Sequence, residues 1–309
     1  MSLEPPRLTL ARLPTPIERV LPTGFAHSIR IKRDDLTGSA LSGNKIRKLE
    51  YLLAEAKAQG KTRVLTCGGI QSNHCRATAV AAARVGLTSL LFLRTDAPPE
   101  DPAGWTGNLR LDRIVGAEVR FVTRAQYLDR AQIMARAAGP DDAIVPEGGS
   151  NALGAWGYIR AIDELIAQWE SPPTSIVVAV GSGGTLAGLV IGAKRRGLEV
   201  PIHGVAVCDD AATFQRTVGQ ISQEASMRWP DLPLVDAADV SVIEGYVGRG
   251  YALTTPQEEA DLCDLAQSTG LILDPVYSNK AFRALRREPE RFGSDPLFIH
   301  TGGIFGLLA

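Results

Sequence analysis

Two kinds of hydrophobic pattern alternate along the chain, and each predicts a different element. Short apolar runs predict buried strands at Val64–Thr66, Leu90–Leu93, Glu118–Val122, Ser175–Val180, Ile202–Val207 and Leu297–His300. Longer segments with apolar residues every three or four positions predict helices near Asn44–Ala58, Ser72–Val85, Ala125–Ala138, Leu153–Gln168, Thr185–Arg195, Pro256–Ser268 and Asn279–Arg287. Strands that alternate with helices in this way are typical of α/β architecture with a mainly parallel sheet.

Composition narrows the class of protein without changing this fold prediction. The chain has 309 residues, of which 45% are hydrophobic and 22% are charged, values ordinary for a globular enzyme. Its length suggests two domains, with a single domain as the alternative. Its net charge of −1 creates no field that would favour nucleic acid or a membrane surface. No apolar run approaches the ~20 residues of a membrane span, and the segment Met1–Pro6 lacks the features of a signal peptide. We therefore expect a cytoplasmic protein.

The cysteines and histidines show no pattern of a metal site or a disulfide framework. The four cysteines, Cys67, Cys75, Cys208 and Cys263, include no C-x-x-C pair, and we expect them to be free. Redox activity of Cys67 and Cys75 is the alternative to simple burial. The four histidines have no ligand spacing with one another or with cysteine, so the sequence predicts no metal site.

Glycine-rich segments follow several of the predicted strands, at points where a loop or a helix should begin. They are Cys67–His74, Pro146–Asn151, Gly181–Thr185 and Thr301–Gly303. In parallel α/β sheets such loops lie at the carboxyl ends of the strands, where ligands bind. The four segments therefore predict a binding site.

The loop Gly181–Thr185 has the composition of an anion cradle. Glycines let backbone amides converge, the start of a helix offers unpaired N–H groups, and the hydroxyls of Ser182 and Thr185 add donors. A dinucleotide-binding fingerprint would need a glycine where the chain has Leu186, and a Walker loop would need a Gly-Lys-Ser/Thr sequence. We interpret the loop as a phosphate site, with a structural turn as the alternative.

Lys45 lies on the apolar stripe of the helix predicted from Asn44 to Ala58, in line with Leu49, Leu52 and Ala56. An amine on a buried helix face is desolvated, which favours its neutral and nucleophilic form. Such an amine can bond covalently to an aldehyde. The alternative is a side chain that extends from the first helical turn to water.

Ser72, Tyr251 and Tyr277 are candidate catalytic residues. Ser72 precedes a predicted helix, so it suits an N-cap as well as a contact with a ligand. Tyr251 and Tyr277 lie in loops bounded by glycine or proline, where a phenol can transfer a proton or bind a carboxylate. For both tyrosines the alternative is ordinary aromatic packing.

Five segments taken together resemble one known family. They are Ser42-Gly43-Asn44-Lys45 with Arg47-Lys48-Leu49-Glu50, Gln71-Ser72-Asn73-His74-Cys75-Arg76, Gly148-Gly149-Ser150-Asn151, Asp274-Pro275-Val276-Tyr277 and His300-Thr301-Gly302-Gly303. In this order they are similar to the D-cysteine desulfhydrase/1-aminocyclopropane-1-carboxylate (ACC) deaminase family of fold-type II, tryptophan-synthase-β-like pyridoxal-5′-phosphate (PLP) enzymes. The resemblance runs from about Pro14 to Gly303.

The resemblance implies an α/β fold with two domains, each a mainly parallel sheet flanked by helices, and PLP in the cleft between them. Residues 1–50 and 158–309 would form the large domain, and residues 51–157 the small inserted domain. Homodimers are usual in enzymes of this kind, and a small amino acid would be the substrate.

The resemblance also implies roles for individual residues. Those assigned to the cofactor are Lys45 for its aldehyde, Asn73 for the phenolic oxygen of its ring, and Ser182, Gly183, Gly184 and Thr185 for its phosphate. Those assigned to the substrate are Ser72, Tyr251 and Tyr277.

Two departures from the deaminases of this family favour the desulfhydrases. The deaminases carry glutamate directly after the tyrosine of Asp-Pro-Val-Tyr, where this chain has Ser278, and leucine where it has Thr301. A hydroxyl of Ser278 or Thr301 would then contact the pyridine nitrogen, and the sequence leaves open which one does. Asn279 replaces a glycine common in the family, so the conformation of that loop is not predicted.

The sequence thus predicts a PLP-dependent lyase that eliminates a β-leaving group from a small amino acid. D-cysteine is the leading substrate, with pyruvate, sulfide and ammonia as products. ACC deamination and L-cysteate desulfonation are alternatives of the same class. A nicotinamide-dependent dehydrogenase and a PLP-binding homologue without activity are the alternatives outside it.

Overall fold

A computed structural model describes residues 4–309; residues 1–3, which belong to the predicted large domain, lie outside the described residues. The strands in this range are β1 (Ile17–Val20), β2 (Ile29–Lys32), β3 (Arg63–Gly69), β4 (Thr88–Arg94), β5 (Glu118–Val122), β6 (Asp142–Ile144), β7 (Ile176–Val180), β8 (Ile202–Ala206), β9 (Ser241–Ile243) and β10 (Leu297–Ile299). The α-helices are α1 (Lys45–Ala58), α2 (Asn73–Arg84), α3 (Gly107–Ile114), α4 (Arg124–Tyr127), α5 (Arg130–Ala137), α6 (Ala152–Gln168), α7 (Gly184–Arg196), α8 (Ala211–Arg228), α9 (Pro256–Thr269) and α10 (Ser278–Arg287).

The strands of the described residues form two sheets. One has six strands in the order β1-β2-β10-β7-β8-β9, and the other has four in the order β5-β4-β3-β6. Only β1 runs antiparallel to its neighbour in these two sheets of residues 4–309; every other strand pair is parallel. The predicted fold class, α/β with two mainly parallel sheets flanked by helices, is confirmed.

The two sheets draw on different parts of the chain. The four-stranded sheet comes from one continuous segment, residues 63–144, whereas the six-stranded sheet joins β1 and β2 to strands from residue 176 onwards. The predicted domain boundaries at residues 50 and 157 fall inside α1 and α6, which pack against each other. The exact boundaries stay a prediction.

Glycines let α6 pack closely against its neighbours. A Cβ atom at Gly157 would lie 2.6 Å from the carbonyl carbon of Arg47 in α1, and one at Gly192 in α7 would lie 3.0 Å from the Cα atom of Ile159. No side chain larger than hydrogen fits at Gly157 without a backbone shift. This close approach fixes the start of α1 relative to the core of the large sheet.

A buried ion cluster also holds α1 in place. Arg47 donates to Asp34 at 2.7 Å and to Glu164 at 2.9 Å, and Lys32 donates to Glu164 at 2.5 Å. Asp34 is completely buried, and only 2% of Arg47 is exposed. Each charge has an opposite partner, which burial requires. The cluster ties β2, α1 and α6 together.

The predicted elements are confirmed with one correction. The predicted helix Ala125–Ala138 was wrong as a single helix, because the chain leaves helical geometry at Asp129 (φ −97°, ψ 24°) and forms α4 and α5. The sequence analysis did not predict β1, β2, β6, β9, α3 or α8. No helix within residues 4–309 is long and apolar enough to cross a membrane.

Candidate active site

A cavity of about 410 Å³ lies between the two sheets, where their strands end. All four glycine-rich segments predicted from the sequence contribute to its wall. Arg94, the last residue of β4, and Cys208, just after β8, lie on the same wall. Both sheets thus present their carboxyl ends to one cavity, the position at which parallel α/β sheets bind ligands.

The loop Gly181–Thr185 forms a concave backbone turn ahead of α7. Gly183 has φ +78°, and a Cβ atom there would lie 2.8 Å from the Cγ2 atom of Thr217. The Ser182 hydroxyl is 2.9 Å from that of Ser150, in the glycine-rich segment of the other sheet. Backbone amides and hydroxyls therefore converge from two loops, as binding of a phosphate requires.

Lys48 places a buried amine behind these two loops. Its Nζ donates to the carbonyl oxygen of Gly148 at 3.1 Å and lies 3.4 Å from the hydroxyl of Ser150. Burial lowers the pKa of Lys48 well below its ordinary value, and the charge of Lys45 adds to this effect. Lys48 has no carboxylate partner in the part of the chain that the structure describes. An anion in the loops would supply the missing counter-charge.

Lys45 is the first residue of α1, and its amine lies on the cavity wall. Burial lowers the pKa of Lys45 to about 8, although the carboxylates of Asp274 and Glu147 act in the opposite direction. The Lys45 Nζ is 3.3 Å from the Oδ1 atom of Asn44, whose amide nitrogen donates to the Thr185 hydroxyl at 3.0 Å. The lysine predicted to bind an aldehyde is therefore desolvated and lies beside the phosphate loop.

Ser72 and Asn73 both line the cavity at the start of α2. The Ser72 hydroxyl accepts a hydrogen bond from the backbone N–H of Cys75 at 3.2 Å, so it caps the helix as well. The side-chain oxygen of Asn73 accepts a hydrogen bond from Asn108 at 3.0 Å, which orients its amide. The cap does not remove Ser72 from the site.

His74 is a wall residue to which the sequence analysis gave no role. Its Nε2 atom is 2.8 Å from the hydroxyl of Thr66, and that hydroxyl donates its one proton to the carbonyl oxygen of Val145. The hydroxyl must then accept from His74, which assigns the proton to Nε2. Burial, with the nearby charges of Lys45 and Lys48, lowers the pKa of His74 well below its ordinary value. His74 is therefore a neutral side chain beside Lys45.

Tyr251 and Tyr277 meet at the cavity. Their hydroxyl oxygens are 2.6 Å apart, and their rings cross edge to face with centroids 5.9 Å apart. Burial raises the pKa of Tyr251 to about 12 and that of Tyr277 well above its ordinary value. Both phenols therefore keep their protons near neutral pH and form one donor pair.

Ser278 and Thr301 occupy different environments. Thr301 lies on the cavity wall beside Gly302, at the end of β10. The completely buried Ser278 donates from its hydroxyl and its backbone N–H to Asp274 instead. Asp274 collects these donors because it caps the turn that leads into α10. The structure thus brings Thr301, and not Ser278, to the cavity.

Arg94 and Tyr127 are further wall residues that the sequence analysis missed. The guanidinium of Arg94 lies 5.0 Å from the ring centre of Tyr127 and 5.1 Å from that of Tyr251. One signal for Arg94 was available, because a charged residue at the carboxyl end of a buried parallel strand points to the ligand side of the sheet. The periodicity did not reveal Tyr127, because it predicted one continuous helix through this segment, whereas α4 ends at Tyr127.

Comparisons with known proteins agree with this geometry. Residues 8–302 match the family model described as "Pyridoxal-phosphate dependent enzyme". The chain is 42% identical to a bifunctional D-cysteine desulfhydrase/ACC deaminase of Arabidopsis thaliana, over 97% of this chain and 78% of that one. It is 37% identical to a D-cysteine desulfhydrase of Klebsiella pneumoniae, over 98% and 96% of the two chains.

Solved structures show the same fold. A crystal structure of an ACC deaminase homologue superposes with a TM-score of 0.83 at 34% identity, covering 98% of this chain and 94% of that one. A hydrogen sulfide-producing enzyme of Fusobacterium nucleatum superposes with a TM-score of 0.67 at 13% identity, covering 95% and 96%. At that identity the second match shows the fold alone.

The described residues fit PLP. A desolvated amine at Lys45 suits its aldehyde, and the glycine turn backed by the uncompensated amine of Lys48 suits its phosphate. The predicted cofactor is confirmed by the family, which leaves no support for the nicotinamide alternative. The chain therefore belongs to the pyridoxal-phosphate dependent enzymes, within the D-cysteine desulfhydrase/ACC deaminase family.

Proposed function

We propose that this protein is a lyase that eliminates the β-substituent of D-cysteine and releases pyruvate, sulfide and ammonia. Two kinds of observation support this function. The relatives include proteins named D-cysteine desulfhydrase at 36–37% identity over almost the full chain. The cavity also assembles a desolvated lysine, a phosphate cradle and a pair of protonated phenols.

The proposal assigns two groups of residues. Those that hold PLP are Lys45 at its aldehyde, Asn73 at its phenolic oxygen, Thr301 at its pyridine nitrogen, and Ser182, Gly183, Gly184 and Thr185 at its phosphate. Those that contact the substrate are Ser72, Tyr251 and Tyr277. Lys48 would neutralise the phosphate from behind the loops. Ser278 supports the site through Asp274 rather than by contact with the cofactor.

The residues around the substrate have separate roles in the proposed reaction. When bound, PLP withdraws electrons from the α-carbon of the substrate, so that the α-proton can be removed. The Lys45 amine, whose pKa is about 8, is the base that takes this proton. The start of α2, with the Ser72 hydroxyl, offers hydrogen bonds to the substrate carboxylate. The phenol pair of Tyr251 and Tyr277 is the proton donor to the substrate.

The observation that carries the choice of reaction is the hydroxyl of Thr301 on the wall. A carboxylate near the pyridine nitrogen would favour its protonated form, which makes the ring a stronger electron sink. A hydroxyl can donate to the unprotonated nitrogen and leaves the ring a weaker sink. A weaker sink is sufficient for β-elimination, in which the leaving group takes up the electrons. Opening of a cyclopropane ring requires a stronger electron sink.

A panel of D-cysteine, L-cysteine, ACC and L-cysteate tests this proposal. We expect sulfide and pyruvate from D-cysteine and negligible 2-oxobutyrate from ACC, measured with the unmodified holoenzyme. Faster turnover of ACC than of D-cysteine would overturn the proposal. Absence of turnover with all four would favour a PLP-binding homologue without activity.

We also propose the organisation predicted from the sequence. Residues 1–50 and 158–309 would form the large domain, and residues 51–157 the small one. A homodimer in the cytoplasm would be the working form, and four free cysteines suit a reducing compartment. Sedimentation and cell fractionation measure the two properties directly.

A further inference from the structure

Arg94 is a cation on the cavity wall without a counter-charge. Its guanidinium is placed over the rings of Tyr127 and Tyr251, at 5.0 and 5.1 Å from their centres. It has no carboxylate or hydrogen-bond partner among residues 4–309. Aromatic faces hold a guanidinium by its plane and leave its N–H donors, which lie at the edge, free to bind.

The other arginines on the wall differ from Arg94 in this respect. Arg130 is paired with Glu147 at 2.8 Å, and Glu147 also accepts from the hydroxyl of Tyr127 at 2.7 Å. Arg124 is paired with Asp96 at 2.9 Å, and both of these side chains are largely exposed. Among the wall arginines of the described residues, the donors of Arg94 alone are unused.

Arg94 also contacts the residue pair that faces the substrate. Tyr251, whose ring it covers, is hydrogen-bonded to Tyr277 at 2.6 Å. A Cβ atom at Gly69 would lie 3.9 Å from an Nη atom of Arg94 and 3.4 Å from the Tyr251 ring, so both side chains lie over the end of β3. The free donors of Arg94 therefore lie beside the tyrosine pair, at the end of β3.

We propose that Arg94 is an anion subsite that binds the β-substituent of the substrate and the anion that leaves from it. This inference rests on the proposed function, because it assigns a residue to the leaving group of that reaction. The ligand class is a sulfur anion or oxyanion, such as hydrosulfide or sulfate. The carboxylate of the substrate instead lies at the start of α2.

A cation at this point would stabilise the negative charge that develops on the leaving group. The bond between Cβ and sulfur breaks with its electron pair going to sulfur, so a bound thiol leaves as HS⁻. A charge-assisted hydrogen bond contributes roughly 1.5–3 kcal/mol, which corresponds to about 10- to 100-fold in rate. Chloride is a much weaker base than HS⁻, so departure of chloride needs this contact less.

The test compares holoenzymes with Arg94→Gln, Arg94→Lys and the matched control Arg124→Gln. D-cysteine and 3-chloro-D-alanine are the substrates, and pyruvate formation is measured with both. We expect Arg94→Gln to lower the ratio of kcat/KM for D-cysteine to that for 3-chloro-D-alanine at least about tenfold. Arg94→Lys should recover part of the ratio, and Arg124→Gln should keep it.

A binding measurement separates this inference from the proposed function. Sodium sulfate is titrated calorimetrically into each holoenzyme, in which PLP already fills the phosphate cradle. We expect binding by the unmodified protein and Arg124→Gln, and its loss in Arg94→Gln. Failure of the unmodified protein to turn over D-cysteine would count against the proposed function alone. An unchanged substrate ratio, an equal loss with both substrates, or sulfate binding that Arg94→Gln retains would overturn the subsite.

Discussion

Lys45 illustrates how position on a helix changes the chemistry of one residue. It begins α1 at a point where the next turn is buried against the core, so water cannot solvate its charge. Desolvation brings the pKa of Lys45 down to about 8, against an ordinary lysine value near 10.4. The neutral amine is therefore available at a pH at which exposed lysines are almost fully charged.

This low pKa predicts the pH dependence of cofactor binding. Because only the neutral amine attacks an aldehyde, capture of PLP by the apoprotein should accelerate about tenfold per pH unit below pH 8 and level off above it. Absorbance of the bound cofactor measures the rate, and borohydride reduction with peptide mapping locates the pyridoxyl group. A rate that still rises above pH 10, or a label on Lys32, Lys48 or Lys280, would contradict the assignment of Lys45.

Ser72 has one observed role, the cap of α2, and one proposed role, contact with the substrate, and loss of each predicts a different result. Loss of the cap on Cys75 costs about 1 kcal/mol of stability, whereas loss of a catalytic hydroxyl costs about 10²–10⁴-fold in rate. We expect Ser72→Ala to bind PLP and to lose most of its turnover of D-cysteine. Thr255→Ala is the matched control, because Thr255 caps α9 with the same 3.2 Å contact and does not line the cavity. Equal activity losses in both variants would assign Ser72 to the cap alone.

The site residues show what local sequence can and cannot establish. The helical stripe predicted the burial of Lys45, and the glycine loop predicted a concave backbone turn at the start of a helix, because both signals lie within one short segment. The choice between Ser278 and Thr301 could not be made, because it depends on how Asp274 binds the Ser278 hydroxyl. The sequence also could not predict that Arg94 is unpaired, because pairing depends on residues far away in the sequence.

At the scale of elements, α6 is the helix around which the large sheet's packing is organised. Its face toward α1 carries Gly157, where a Cβ atom would contact the backbone of Arg47. Its other face receives Gly188 of α7, where a Cβ atom would contact the backbone oxygen of Ala155. Glycine is unfavourable in a helix, so the close contact between helices is the physical reason for a glycine at these positions.

Two glycine-to-alanine substitutions with opposite effects follow from this packing. Gly157→Ala should lower the free energy of unfolding by about 1–3 kcal/mol, because the added methyl group overlaps the backbone of α1. Gly219→Ala, in α8, should raise it by about 0.5–1 kcal/mol, because nothing lies within 4 Å of the new Cβ atom. Urea unfolding measures both. A stabilising Gly157→Ala would mean that α1 and α6 can separate at little cost.

Most elements were predictable because their hydrophobic patterns are local. Some of the missed elements depend on contacts with distant residues, which a local pattern does not reveal. In β2 the alternation of Ile29 and Ile31 with Arg30 and Lys32 is typical of a half-exposed strand, yet all four residues are buried. Their charges are paired with Asp295 and with the ion cluster, from distant parts of the chain. The helix α8 did carry a signal, since Phe214, Val218, Ile221 and Ala225 follow its period.

At the scale of the whole molecule, strand pairing joins distant parts of the sequence. The β2 strand pairs in parallel with β10, and Arg30 lies opposite Leu297. This pairing places a strand from the N-terminal part of the chain inside the large sheet. No periodicity or composition encodes such a pairing, whereas the resemblance of five segments to a known family implied a two-sheet fold. The four-stranded sheet was easier to predict, because its strands are consecutive.

The contact between the ends of α1 and β10 sets an order of events during synthesis. The backbone N–H of Asn44 donates to the carbonyl oxygen of Thr301 at 3.1 Å, so the segment with Lys45 makes this contact only after Thr301 is present. A ribosome reaches Thr301 on the order of tens of seconds after Lys45. Throughout that interval the nascent chain lacks this contact, and the cavity around Lys45 lacks the wall that Thr301 and Gly302 supply. We therefore expect the cofactor site to be complete only when nearly the whole chain has been made, because Thr301 and Gly302 are the last of its wall residues in the sequence.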